Sequence, residues 1–220
     1  TKMRVLWISN IIFPELCDRL GMSTSVVGGW MQPAAEALLE REDALELAVV
    51  SFYQGDSLQV FCDSRIRYYL VPEKLTNLYD PGVENYLKVV NRDFKPDIVH
   101  IHGSESGHSL AQLRACGSEK TVVSIQGLVH FCKDFYLGGL SEREVNKSRT
   151  IRDIIRCDSL VDQQQRMEKR ALLEIELLKE VKHVIGRTSW DRACVWALNP
   201  LANYHFCNET LRDRFYEDKW

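Results

Sequence analysis

The chain has no apolar run approaching the roughly 20 residues that span a bilayer, no marked charge of either sign and no paired-cysteine motif. Lys and Arg number 28 against 31 Asp and Glu, a net charge of −3, so no global basic field is there to hold nucleic acid or an anionic surface. A local basic patch stays open. The seven cysteines, at positions 17, 62, 116, 132, 157, 194 and 207, make no C-x-x-C pair. An odd, scattered set reads as reduced structural thiols. Residues 1–4 lead straight into a strand-like run without the charged, apolar and small-residue regions of a secretory signal, which makes the cytoplasm the expected compartment. With 45% hydrophobic and 27% charged residues, the 220-residue chain has globular composition and length for one large domain or two small ones.

Several chemistry-bearing motifs are also missing. There is no G-x-x-x-x-G-K-[ST] loop for a nucleoside triphosphate and no G-x-G-x-x-G dinucleotide fingerprint. No G-x-S-x-G elbow occurs, and Cys132 beside His130 reads as an accidental neighbour rather than a dyad. His100, His102 and His108 have no Cys or Asp partners at a zinc spacing, so neither a metal nor another cofactor is expected.

What the sequence does carry is alternation of strands and helices. Continuous apolar or β-rich runs at 3–8, 45–52, 67–71, 98–101, 121–125, 183–186 and 204–207 read as strands. Helical spacing appears at 30–41, 83–94, 106–116, 163–182, 190–198 and 209–216, with Ser189 as a candidate cap. Residues 11–27 read as an unusually long β-to-α loop, and 129–165 as weakly patterned with one or two small helices. Most of the strands lack polar alternation and alternate with helices, which predicts an α/β fold, a Rossmann-like doubly wound parallel sheet with flanking helices.

In such sheets ligands sit outside the carboxyl ends of the strands, where strand order reverses. That rule selects Asn10 and the loop to Gly29, then His102 to Glu105, then Gln126-Gly127, then Arg187-Thr188-Ser189. Gly28-Gly29 before an apolar helix fits a backbone that lets a phosphate approach the helix N-terminus, or simply a flexible loop ending. His102 and Glu105 suit a sugar hydroxyl or a proton transfer, or an ordinary hydrogen bond at a strand terminus. Arg187 is shaped for a phosphate or carboxylate, with a surface salt bridge as the plainer alternative.

The motifs Met3-Arg-Val-Leu-Trp-Ile-Ser-Asn10, Pro14, Gly28-Gly-Trp30 and Lys95-Pro-Asp-Ile-Val-His-Ile-His-Gly103 resemble the N-terminal half of GT-B-fold glycosyltransferases of family 4. Val122-Val-Ser-Ile-Gln-Gly-Leu128 and Val184-Ile-Gly-Arg-Thr-Ser-Trp-Asp191 continue the resemblance almost to the end of the chain. It implies an acceptor-side domain facing a second, donor-binding domain across a cleft, with a nucleotide-sugar co-substrate, a glycan or lipid-linked acceptor and retention of configuration without a required metal. The family's paired-glutamate donor motif lies in that second half. The expectation is therefore one N-terminal domain over 1–220, lacking the C-terminal domain and inactive by itself. The resemblance places Gly28 and Gly29 near the donor diphosphate and Arg187 and Thr188 along the cleft, with His102 and Glu105 toward the acceptor. Gln126 stands where the family commonly has a histidine; its amide can bond a sugar but cannot titrate. A nucleotide-sugar epimerase or phosphorylase half, or a non-catalytic binding module, shares the fold as an alternative. Family members acting on lipid-linked acceptors often touch the membrane, and the Arg and Lys residues of 143–156, diluted by Glu142, Glu144 and Asp153, either serve that contact or form a solvated face.

Overall fold

A computed structural model describes residues 2–23, 28–41, 44–63, 65–74, 78–208 and 214–217. Eight strands form one sheet: β1 (Met3–Ser9), β2 (Leu45–Tyr53), β3 (Gln59–Cys62), β4 (Ile66–Pro72), β5 (Ile98–His102), β6 (Thr121–Ser124), β7 (His183–Gly186) and β8 (Asn203–Phe206). Their order is β3-β4-β2-β1-β5-β6-β7-β8. All neighbouring pairs are parallel except β3 with β4. The expected Rossmann-like α/β sheet is present, with β3 as an unforeseen antiparallel edge. Its four residues are at best half-buried, so they carry no continuous apolar signal.

The helices are α1 (Pro14–Leu20), α2 (Met31–Arg41), α3 (Pro81–Phe94), α4 (Gly107–Cys116), α5 (Val129–Cys132), α6 (Glu142–Lys147), α7 (Ile151–Arg156), α8 (Leu160–Glu180), α9 (Ser189–Leu198) and α10 (Arg214–Glu217). A 3₁₀ turn, Lys133–Phe135, follows α5. The stretch read as a long loop contains α1, begun by Pro14 at its first turn and ended by Gly21 in the left-handed region. Residues 24–27 of that loop and 209–213 of the expected last helix lie outside the described residues. Helix α9 is capped by Thr188, not Ser189. The Thr188 hydroxyl accepts from the Asp191 N–H while the Asp191 carboxylate returns the bond to the Thr188 N–H.

Strand pleating divides the core. Leu6, Ile8, Ala48, Val50, Ile101 and Val123 face α3, α4, α8 and α9, whose Leu87, Val90, Leu110, Leu177 and Val195 pack on them. Val5, Trp7, Leu47 and Val49 face the other way, under Phe13, Leu16, Met31, Ala35 and Leu39 of α1, α2 and the turn before α1. Each such fully buried aliphatic side chain contributes about 1.5–3 kcal/mol relative to exposure. Helix α3 shows the logic: Val83, Leu87, Val90 and Phe94 make one buried stripe, and the Asp80 carboxylate accepts from the Gly82 N–H at 2.8 Å to start it. No described helix is long and apolar enough to cross a membrane.

Strand order reverses at β1, whose two neighbours are β2 and β5. The chain leaves β1 and β5 for opposite sides, and the crevice between those departures is where such sheets take ligands. Close packing fixes the entrance to α4: a Cβ on Gly107 would fall inside the Leu78 main-chain carbonyl. Backbone cannot swing aside as a side chain does, so Gly107→Ala should lower unfolding free energy by at least about 2 kcal/mol. Urea denaturation measures this; an unchanged midpoint would show that the loop at Leu78 yields freely.

Candidate functional site

Beyond β1, the sheet face covered by α2 changes character. Alternation carries it from Trp7 onto His100, His102 and Ser124 instead of further aliphatic residues. A cleft of about 140 Å³ opens there, lined by Trp7, Trp30, His100, His102, Ser124, Gln126, Ile185 and Arg187.

His102, the last residue of β5, is 7% exposed. Its ring lies 4.6 Å from that of Trp7, 5.5 Å from Trp30 and 3.9 Å from His100. Both ring nitrogens are buried without a hydrogen-bond partner among the described residues. Burial, with the neighbouring His100, pushes its pKa well below the usual 6.5, so the ring is neutral near pH 7. His100 is lowered to about 4 by burial alone, and its Nε2 meets Ser124 Oγ at 2.6 Å.

Arg187 follows β7 directly. Its Nη2 donates to the main-chain oxygens of Ile125 and Gln126 at 3.3 and 3.4 Å, which lays the guanidinium across the end of β6. Its own N–H donates to Asp191 Oδ2 at 3.0 Å. Burial works to raise the Asp191 pKa, but bonds from the Arg187 N–H, the Tyr204 hydroxyl and Thr188 outweigh it and hold the carboxylate ionised. No described lining residue is a carboxylate, so the two-carboxylate route to glycosidic chemistry has no residues in this cleft.

The structure thus brings His102, Gln126 and Arg187 together. Gly28 and Gly29 lie in the turn into α2; Trp30 of that turn and Ala34 of α2 reach the cleft. Gly28 has φ +78° and presses against Ile11, where a Cβ would meet that side chain. Asn10 is exposed just past β1 and Thr188 spends its hydroxyl on the α9 cap; neither lines the cleft. Glu105 lies away from it too. Its carboxylate folds back over Gly103, near enough that a Cβ there would come within 2.8 Å of Oε2, and Arg170 on α8 donates to its main-chain oxygen. Burial pushes the Glu105 pKa up, against the lowering effect of its own N–H and of Arg170.

Sequence reasoning missed the aromatic floor of Trp7 and Trp30, and it missed the fastening behind the cleft. Glu174 on α8 is wholly buried. Its Oε1 accepts from Ser104 Oγ at 2.6 Å, and its Oε2 accepts from the His130 N–H at 2.9 Å and lies 2.5 Å from His130 Nδ1. One carboxylate therefore ties the loop after β5 to α5, which follows the loop carrying Gln126. The helical spacing of α8 marks 171, 175 and 178 as apolar, and Glu174 falls inside that buried stripe. A charged residue in an apolar stripe was the available signal.

No protein-family model and no curated protein sequence matches the chain. Among solved structures it is similar to sucrose-phosphate synthase from Thermosynechococcus elongatus, with a TM-score of 0.57 and 12% identity over 93% of this chain and 47% of that one. A second form of that synthase, labelled by segments 27–220 and 406–426, matches with a TM-score of 0.50 and 11% identity over 94% of this chain and 90% of that one. The chain spans about half the length of the full synthase. The likeness is one of fold: this is the Rossmann-like architecture of one half of a GT-B enzyme.

Two outcomes test the electrostatics. Glu174→Ala strands buried donors and should cost at least about 2 kcal/mol by urea unfolding, with Glu174→Gln intermediate; equal midpoints would dissolve the fastening. The second concerns acid. Because His100 sits at about 4 when folded against 6.5 ordinarily, the unfolded chain binds more protons between those values. The stability is complete above 6.5 and is lost as pH falls toward 4. His100→Gln should flatten the fall of Tm over that window by about one proton of linkage. A variant with the parental slope would show that His100 is not responsible.

Proposed function

We propose that this chain is the acceptor-side half of a retaining glycosyltransferase of family 4 type, which moves a sugar from a nucleotide-sugar donor to a glycan or glycolipid acceptor. The observation that carries the reading is the cleft at the reversal of strand order, where an oriented guanidinium stands beside a neutral imidazole, an amide and two indoles. A guanidinium suits a diphosphate, an amide both donates to and accepts from hydroxyls, and indole faces suit the apolar faces of a sugar ring. The order of the strand-end motifs and the fold of the matched synthase support the same reading. The match to about half of that synthase supports a second, donor-binding domain as the opposite wall. Free thiols at all seven cysteines support a cytoplasmic setting.

The chemistry follows from these protonation states. A group that takes a proton near pH 7 works best with a pKa near 7, and burial holds His102 far below that. His102 and Gln126 therefore orient hydroxyls, while the proton of the acceptor hydroxyl passes to the departing donor phosphate. The donor's carbon–oxygen bond to phosphate breaks as the new glycosidic bond forms on the same face. Arg187 stabilises the charge that builds on the diphosphate.

Turnover of nucleotide sugars by the protein at its natural length, followed by release of nucleoside diphosphate and by the anomeric configuration of the product, tests the reading. Arg187→Ala should lower kcat/KM by about a hundredfold, and Gln126→Ala should act more on KM. Epimerised or phosphorolysed sugar as the product, an inverted product, or full turnover without Arg187 would each overturn it.

A further inference from the structure

The pairing of β7 with β8 brings together two histidines that the proposed reaction does not use. His183 opens β7 opposite Asn203, and His205 stands opposite Ile185, so the two histidines share one face of the sheet, diagonally across the strands. Their rings are 20° from parallel with centroids 5.3 Å apart, and His183 Nδ1 lies 3.0 Å from His205 Nε2. His183 is half-buried and His205 exposed, so water reaches the pair. Neither lines the cleft, although Ile185 on the same face does. Among the described residues the two rings form no ion pair and bond to no other side chain. No sequence spacing marks them, because 22 residues lie between them and only strand pairing joins them.

A neutral imidazole carries one N–H and one bare nitrogen, so the contact between the rings holds a single proton. When that proton moves to the far nitrogen of its own ring, each near nitrogen offers a lone pair to the same point. Imidazole nitrogen is a favoured ligand for first-row divalent ions such as Zn²⁺ and Ni²⁺. An ion about 2.0–2.1 Å from two nitrogens in neighbouring tetrahedral or octahedral positions holds them roughly 2.8–3.4 Å apart. The observed 3.0 Å falls within that span, so the rings turn while the strands stay in place. Among the described residues no third His, Cys, Asp or Glu completes a larger set, which leaves the other positions on the ion to water. That is the shell of an exchangeable ion rather than of a closed structural centre. Strand β8 ends the sheet and pairs with β7 alone, so an ion held by one side chain from each strand fastens the edge.

We propose that His183 and His205 together bind a divalent transition-metal ion that clamps the edge strand β8 to β7. The proposal is independent of the transferase reading, and its test uses no sugar.

Calorimetric titration of the chain with Ni²⁺, joined to amide hydrogen exchange, decides it. His183→Gln and His205→Gln should each weaken Ni²⁺ binding at least about tenfold, since losing even a group that only orients a ligand costs 10–100-fold. Blocking the exposed thiols with N-ethylmaleimide should leave the affinity unchanged. At a hundred times its Kd the ion should slow amide exchange of β8 by about a hundredfold in the parent and not in either variant, because opening the strand breaks the site. His205 is exposed, so near-ultraviolet circular dichroism of its variant should match the parent; were His183→Gln to misfold, His205→Gln alone decides. No binding of Ni²⁺, or binding of parental affinity without His205, would overturn the proposal. So would binding lost on thiol blocking, which would assign the ion to cysteine, or bound ion with unchanged exchange of β8, which would remove the clamp.

Discussion

The need to bury β1 and β2 on both faces governs the rest of this molecule. Leu6, Ile8, Ala48 and Val50 on one side and Val5, Trp7, Leu47 and Val49 on the other are all withdrawn from water, so helices must cover both faces. Right-handed crossovers then dictate which helices do so. The connection from β1 to β2 supplies α1 and α2 to one face, while α3, α4, α8 and α9 serve the other. A chain wound both ways from β1 must part at the carboxyl ends of β1 and β5. On the face of α2, the aliphatic core stops at Trp7 and histidines begin. The cleft is where hydrophobic demand ends, which is why polar side chains can stand there.

Those polar side chains are held unequally. Glu174, wholly buried, meets donors from Ser104 and His130, and these bonds join the loop after β5 to α5. His102 is the reverse case, a buried ring with neither nitrogen paired among the described residues. An unmade hydrogen bond of this kind is unfavourable to the folded state, and sites that bind ligands are where folds tolerate it. The fastened pair lies behind the strand-end loops and the unfastened ring lies in front of them, facing the cleft. A firmly bonded carboxylate on one side of the sheet thus stands against a buried ring, on the other, whose hydrogen-bonding capacity is unused among the described residues.

The sheet was legible because its strands are uninterrupted apolar runs and its helices keep a 3.6-residue period. The elements that escaped notice lack those signals. Strand β3 has no buried residue, and α1 is a two-turn helix within a stretch whose Pro14, Gly21 and serines read as loop. In the cleft, strand-end position alone identified His102, Gln126 and Arg187, because the carboxyl edge of a parallel sheet is fixed by topology. It could not tell which way a side chain turns after the strand ends. Glu105, three residues past His102, folds over Gly103 toward α8, and Thr188 turns inward to cap α9. Hydrogen bonding decides such turns: the Asp191 N–H draws in the Thr188 hydroxyl from three residues on, and Arg170 holds the Glu105 main-chain oxygen from α8.

Helix α7 shows the same limit in another form. Its isoleucine spacing matches that of the apolar residues of α3, and on periodicity alone both helices would be laid against the core. What differs is position. Helix α3 crosses from β4 to β5 and has a sheet face to cover, whereas α7 belongs to a run of short helices between β6 and α8, and α8 already fills the place on the sheet. Periodicity states that a face is apolar, and topology states whether an interior remains for it. An apolar face that arrives after the interior is full stays in water, as the exposed Ile151, Ile154 and Ile155 do.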